Sequence, residues 1–119
     1  MLLTLVVYYG KVLKYKNKGR KDMAEYKNTL TDKLFETIAQ LNSPEECAAF
    51  FEDLCTIKEM LDMAQRLETA RLLECGMSYQ KIAEKLGVST ATISRVNRCL
   101  NYGTGGYRAA IEKCRENEK

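Results

Sequence analysis

Histidine is absent from the chain, and with it the commonest general base and a usual zinc ligand. Proline occurs once, at Pro44. No long hydrophobic run occurs. The longest, residues 2–9 with Thr4 inside it, is far shorter than the ~20 residues that span a bilayer. It also lacks the basic flank and cleavage site of a signal peptide. No Cys-x-x-Cys pair occurs. The five cysteines, Cys47, Cys55, Cys75, Cys99 and Cys114, are odd in number and widely spaced. A secreted disulfide framework and a zinc site are therefore not expected. They read as reduced thiols of a cytoplasmic protein, mostly small core hydrophobes. No nucleophile is paired with a base, and no metal-ligand cluster is present. No catalytic residue, metal or cofactor is expected, and the chain does not read as an enzyme.

A large excess of one charge is missing too: 19 Lys and Arg face 16 Asp and Glu, a net charge of +3. That excludes a polybasic coat protein. The average hides segregation, however. Residues 1–22 carry +5, residues 23–75 carry −6, residues 76–108 carry +4, and residues 109–119 are neutral. A basic leader, an acidic body and a basic head suggest a nucleic-acid partner. The length fits one domain.

Residues 1–22 differ from the rest. Leu2-Leu3-Thr4-Leu5-Val6-Val7-Tyr8-Tyr9, a turn at Gly10-Lys11, and Val12-Leu13-Lys14-Tyr15 could form a β-hairpin. The alternative is a translated leader upstream of a start at Met23. On that reading residues 23–119 are the functional chain, with 13 bases against 15 acids.

From Thr29 the pattern is helical. Leu30, Leu34, Ile38 and Leu41 recur every three or four residues, and Phe35 widens the stripe. Ser43, Pro44 and Glu46 form a helix start with a capping box. The helix they open holds Cys47, Phe50, Phe51, Leu54 and Cys55. Thr56 and Glu59 form a second capping box, opening a longer helix through Met60, Met63, Leu67, Ala70 and Leu73. Gly76 ends it. The fold class is all-α, with short connections. Phe50, Phe51, Met60, Leu61 and Met63 are more large apolar groups than a small monomer covers, which favours a homodimer.

The most informative window is residues 78–98. Ser78 caps a short helix whose buried face is Ile82, Ala83 and Leu86. Gly87 allows the turn, Val88 plugs the centre, and Ser89 caps a second helix buried through Ile93 and Val96. Seven positions (Ile82, Ala83, Leu86, Gly87, Val88, Ile93 and Val96) together resemble the helix-turn-helix DNA-binding motif. The face left over is Ser89, Thr90, Ala91, Ser94, Arg95 and Arg98. Short side chains let a helix sit deep in a major groove, and arginine can donate two hydrogen bonds to guanine. The bland alternative is an ordinary solvated helix face.

More closely, the chain resembles the Trp repressor family. The residues that carry this are Gly76-Met77-Ser78, Ile82 through Ser89 and, above all, Ala91-Thr92-Ile93-Ser94-Arg95, with Ala64-Gln65-Arg66-Leu67 and Leu72-Leu73 ahead of them. Arg95-Val96-Asn97-Arg98 followed by Leu100-Asn101-Tyr102-Gly103 is most similar to a Gram-positive branch of Trp-repressor-like regulators. The resemblance covers roughly residues 29–111. It implies an intertwined homodimer that binds a palindromic operator in double-stranded DNA, with no membrane partner.

The resemblance also implies site residues. Bases would be read by Thr90, Ala91 and Ser94, and by Gln80, which stands where the family has an arginine. Glutamine prefers adenine where arginine prefers guanine, so a different operator is expected. Lys81, Ser89, Arg95 and Arg98 would hold phosphates or lie beside them. In that family the indole of tryptophan lies between two arginines, over a glycine. Arg95 takes the second arginine position. Arg66 takes the first if one gap precedes Met77, and Gln65 does without it. Thr56 falls beside the pocket, and Val96 replaces the glycine. Its added methyls would obstruct an indole, so L-tryptophan is not expected as corepressor and the effector is left open.

Downstream, Gly103-x-Gly105-Gly106 follows no strand, so it reads as a turn rather than a phosphate cradle. A last helix from Tyr107 to about Glu116 would turn Ala110, Ile111 and Cys114 inward. The function expected is sequence-specific transcriptional regulation, as a repressor. The competing class is a protein-interaction module whose basic head docks an acidic partner.

Overall fold

The computed structural model describes residues 29–118, which form six α-helices and, among the described residues, no strand. The expected hairpin or leader of residues 1–22 and the boundary at Met23 lie outside the described residues. The helices are α1 (Thr29–Ala39), α2 (Pro44–Leu54), α3 (Ile57–Glu74), α4 (Tyr79–Leu86), α5 (Thr90–Tyr102) and α6 (Gly106–Asn117). None is long and apolar enough to cross a membrane. The chain divides into two compact units, with the division between Phe50 and Phe51.

In the first unit the expected stripe on α1 is only partly covered. Leu34, Ile38 and the following Leu41 are half-buried, whereas Leu30 and Phe35 are exposed. The helix closes with tighter bonds from the Gln40 and Leu41 amides to the Thr37 and Ile38 carbonyls. At the start of α2, Ser43 Oγ accepts from the Glu46 amide at 3.1 Å. The Glu46 carboxylate does not return to Ser43, as a capping box requires. It reaches one residue further and accepts from the Asn42 amide at 2.9 Å.

The second unit contains the core. Its first helix, α3, opens with a complete capping box. Thr56 Oγ1 accepts from the Glu59 amide at 3.2 Å, and the Glu59 carboxylate accepts from the Thr56 amide at 2.7 Å. These bonds favour the ionised carboxyl and hold the Glu59 pKa below its usual value, the backbone bond contributing most.

Two apolar clusters hold α3 to α6 together. One joins Ala70, Val96, Leu100 and Ile111, with Leu73 and Tyr107 packed against it. The other joins Leu72, Ile82, Val88 and Ile93, with Leu73, Met77, Ala83 and Leu86 around it. Leu73 therefore touches both. Helix α5 also serves both, since Ile93 enters one cluster while Val96 and Leu100 enter the other. Three, then four residues separate them, the helical repeat. Fully burying an aliphatic side chain stabilises a fold by about 1.5–3 kcal/mol. The wholly buried Ile82, Ile93 and Val96 are thus principal supports of this unit.

Two expectations need correction. None of the five cysteines is fully buried, and Cys75 and Cys114 are exposed. They are not core hydrophobes. On α6, Ile111 is buried but Ala110 and Cys114 face outward. The helix meets the core along one narrow line, so residues one position before and three after Ile111 miss it.

Candidate nucleic-acid interface

The reading head is built by α4, a turn and α5. Ser78 Oγ accepts from the Lys81 amide at 3.3 Å and starts α4. Gly87 ends it with φ +67°, in the left-handed region where a Cβ is strained. Val88 then drops into the second cluster and Ser89 starts α5, its Oγ accepting from the Thr92 amide at 3.1 Å. Burial of Ile82 and Ile93 fixes the two helices against each other.

Every expected DNA-facing residue is exposed: Gln80 and Lys81 on α4, Ser89 at the cap, and Thr90, Ala91, Ser94, Arg95 and Arg98 on α5. Lys81, Arg95 and Arg98 form no ion pair with any described residue. Their charge is available to a partner. Gln80 donates to the Glu84 carboxylate at 3.4 Å, a long bond that gives way readily. Ser89 has a structural task as well. Its hydroxyl caps α5 and lies 3.0 Å from Thr92 Oγ1. Among these residues it is the one already occupied in holding the fold.

Arg108, counted in the basic head by sequence, is spent internally. It donates to the Glu74 carboxylate at 3.1 Å, to the Leu100 carbonyl at 3.2 Å and to Asn101 Oδ1 at 3.3 Å. The Glu74 side chain is 11% exposed and also holds Arg115 at 3.5 Å. No local pattern points to this pairing, because 34 residues separate Glu74 from Arg108.

The four residues expected around an effector separate into two pairs. Arg66 and Arg95 line the same cleft of about 350 Å³, between α3 and the start of α5. Gln65, the alternative to Arg66, lines it too, as do Ser89, Thr92 and the Lys58–Asp62 ion pair of 3.0 Å. Thr56 and Val96 are not in the lining. Thr56 is engaged in its capping box, and Val96 is 1% exposed, inside the first cluster. The lining is mostly polar and charged. Arg66 and Arg95 also influence Tyr107, half-buried on the first cluster. Desolvation and then Cys99 push its phenol pKa above the usual value, and the two guanidiniums oppose them.

Known proteins share this architecture. Residues 29–115 match the family model described as Trp repressor protein. The chain is 54% identical over 87 residues to the uncharacterized protein YerC of Bacillus subtilis (strain 168), covering 73% of this chain and 84% of that protein. A TrpR-like protein from Eubacterium eligens superimposes with a TM-score of 0.73 at 48% identity, over 76% of this chain and 93% of the other. A candidate Trp repressor from Staphylococcus aureus gives a TM-score of 0.77 at 36% identity, over 82% and 96%. The helix-turn-helix, the capped six-helix order and these matches agree, and the chain belongs to the Trp repressor family.

Proposed function

We propose that this protein is a sequence-specific DNA-binding regulator, a repressor that acts as a homodimer on a palindromic operator. The observation that carries the reading is the division of α5 into two faces. Ile93, Val96 and Leu100 are buried, while Thr90, Ala91, Ser94, Arg95 and Arg98 are exposed on short or cationic side chains. Thr90, Ala91 and Ser94 face base edges, and Gln80 selects adenine through its amide. Lys81, Arg95 and Arg98 hold phosphates and set the register. Two heads in a dimer read half-sites ~34 Å apart, one helical turn.

The dimer reading rests on α3. Its stripe of Met63, Leu67 and Ala70 is buried at Ala70 but exposed at Leu67 and Met63, and Ile57 and Leu61 lie bare on the same half of the helix. A second copy supplies the missing cover. L-tryptophan is not the effector on this reading, because Thr56 and Val96 stand outside the cleft that Arg66 and Arg95 line, so the four expected residues do not assemble into one pocket. Calorimetry showing tight binding of L-tryptophan would overturn that point.

Selection from random DNA pools tests the main proposal. An enriched palindrome with adenine-containing half-sites about 10 base pairs apart is the expected outcome. Salt-sensitive binding that enriches no motif would refute it and favour the docking of an acidic protein partner.

A further inference from the structure

Arg108 belongs to no DNA-facing surface, yet it is the most heavily bonded cation among the described residues. Its place depends on a sharp reversal after α5. The Gly103 amide donates to the Cys99 carbonyl at 2.8 Å, and a Cβ on Gly103 would collide with that same carbonyl. The glycine lets the chain turn back at once, so that α6 returns along α3 and α5. Ile111 then closes the first cluster.

The reversal brings one guanidinium to three acceptors on two helices. The Leu100 carbonyl lies in the last turn of α5, where carbonyls have no donor within the helix. Arg108 supplies one. Asn101 holds Arg108 with Oδ1 and donates its own amide to Asn97 at 3.0 Å, which braces the same turn. The third acceptor is Glu74, the last residue of α3. One shielded carboxylate thereby connects α3 to α6 through Arg115, and to α5 through Arg108.

We infer that Glu74 is a positioning residue for DNA reading: through Arg108 it anchors the C-terminal end of α5 and so sets the angle at which the other end enters the groove. The inference rests on the DNA-binding reading above. Thr90, Ala91 and Ser94 lie near the start of α5. A tilt at the anchored end displaces all three together, along with Arg95. Loosening the anchor therefore weakens every sequence alike and leaves the preferred sequence unchanged.

Three variants of the full chain test this. Glu74→Gln removes the charge, Arg108→Lys keeps a charge but loses the three-way fork, and Arg115→Gln leaves the α5 tether intact. Operator affinity is measured well below each variant's thermal midpoint, together with its salt dependence. Amide exchange across α5 is followed without DNA. Glu74→Gln and Arg108→Lys are expected to lose roughly 5- to 10-fold in affinity, with unchanged salt slope and selected motif, and to lose protection in the last turn of α5. Arg115→Gln is expected to retain both. Unchanged affinity in Glu74→Gln overturns the inference. So does an equal loss in Arg115→Gln, which would indicate α6 docking alone. So does a salt slope reduced by about one in Arg108→Lys, which would make Arg108 a phosphate contact. Failure of the DNA-binding reading would appear instead as a wild-type chain that selects no motif, and the exchange measurement would still report whether the tether exists.

Discussion

The uncovered apolar side chains at the end of α2 and along α3 make a prediction whose sign differs between a monomer and a dimer. Leu54 is 50% exposed, Ile57 73%, Leu61 59% and Leu67 44%. Their exposed fractions amount to about two whole aliphatic side chains. Covering them would contribute roughly 3–7 kcal/mol per protomer, or roughly 6–14 kcal/mol for a pair. Association itself costs about 4–15 kcal/mol, so this surface can support a dimer without making it indissoluble. The perturbation is Leu61→Glu with Ile57→Glu. In a monomer both changes replace exposed apolar groups with acids; the helix dipole favours the one at Ile57, in the first turn, and the i,i+4 repulsion between the two acids offsets that by a similar small amount. Stability should then be unchanged within about 0.5 kcal/mol. In a dimer each acid is buried against an apolar partner and dissociates the pair. Sedimentation equilibrium and thermal melts at two protein concentrations distinguish the cases. Wild type should sediment as a dimer with a midpoint that rises with concentration, and the double variant should be a monomer with a lower midpoint. Monomeric wild type at high micromolar concentration, with a midpoint equal to that of the variant, would refute the reasoning.

Ile93→Ala removes a wholly buried side chain at the contact of α4 and α5 and should cost about 2–5 kcal/mol, read by urea denaturation. Lys81→Ala should weaken all DNA sequences alike and reduce the salt slope by about one, whereas Gln80→Arg should move the preference from adenine toward guanine in a selection experiment. Glu59 has a folded pKa below its unfolded value, so its stabilisation is present above about pH 4.5 and is lost as pH falls through the folded value. Amide exchange in the first turn of α3 should show that loss, and Glu59→Gln, which removes the titrating group, should abolish its pH dependence.

Much of the interface is legible in the residues because it depends on local rules. Ser78 and Ser89 cap the helices they precede, and Gly87 adopts the left-handed turn between them. Ile82, Val88 and Ile93 share a cluster because helical spacing puts them on facing sides. The same logic places Thr90, Ser94 and Arg98 on the opposite, exposed face. The cysteines were less legible. A small apolar thiol suits a core, but whether its helix position meets one depends on the neighbouring helices. Ala110 and Cys114 show the same limit, since an inward stripe of three on α6 finds a contact line one residue wide.

The sequence by itself therefore determined the helices, their caps and the reading head, all of which follow from hydrogen bonds and spacings within a few residues. Tertiary structure alone decided two things. It brought Arg66 and Arg95 to one cleft, although 29 positions separate them in the chain. It drew Arg108 from the basic surface into the Glu74 node. Each depends on how packed helices rotate and approach one another, and that is set by the summed fit of side chains far apart in the chain rather than by any local pattern.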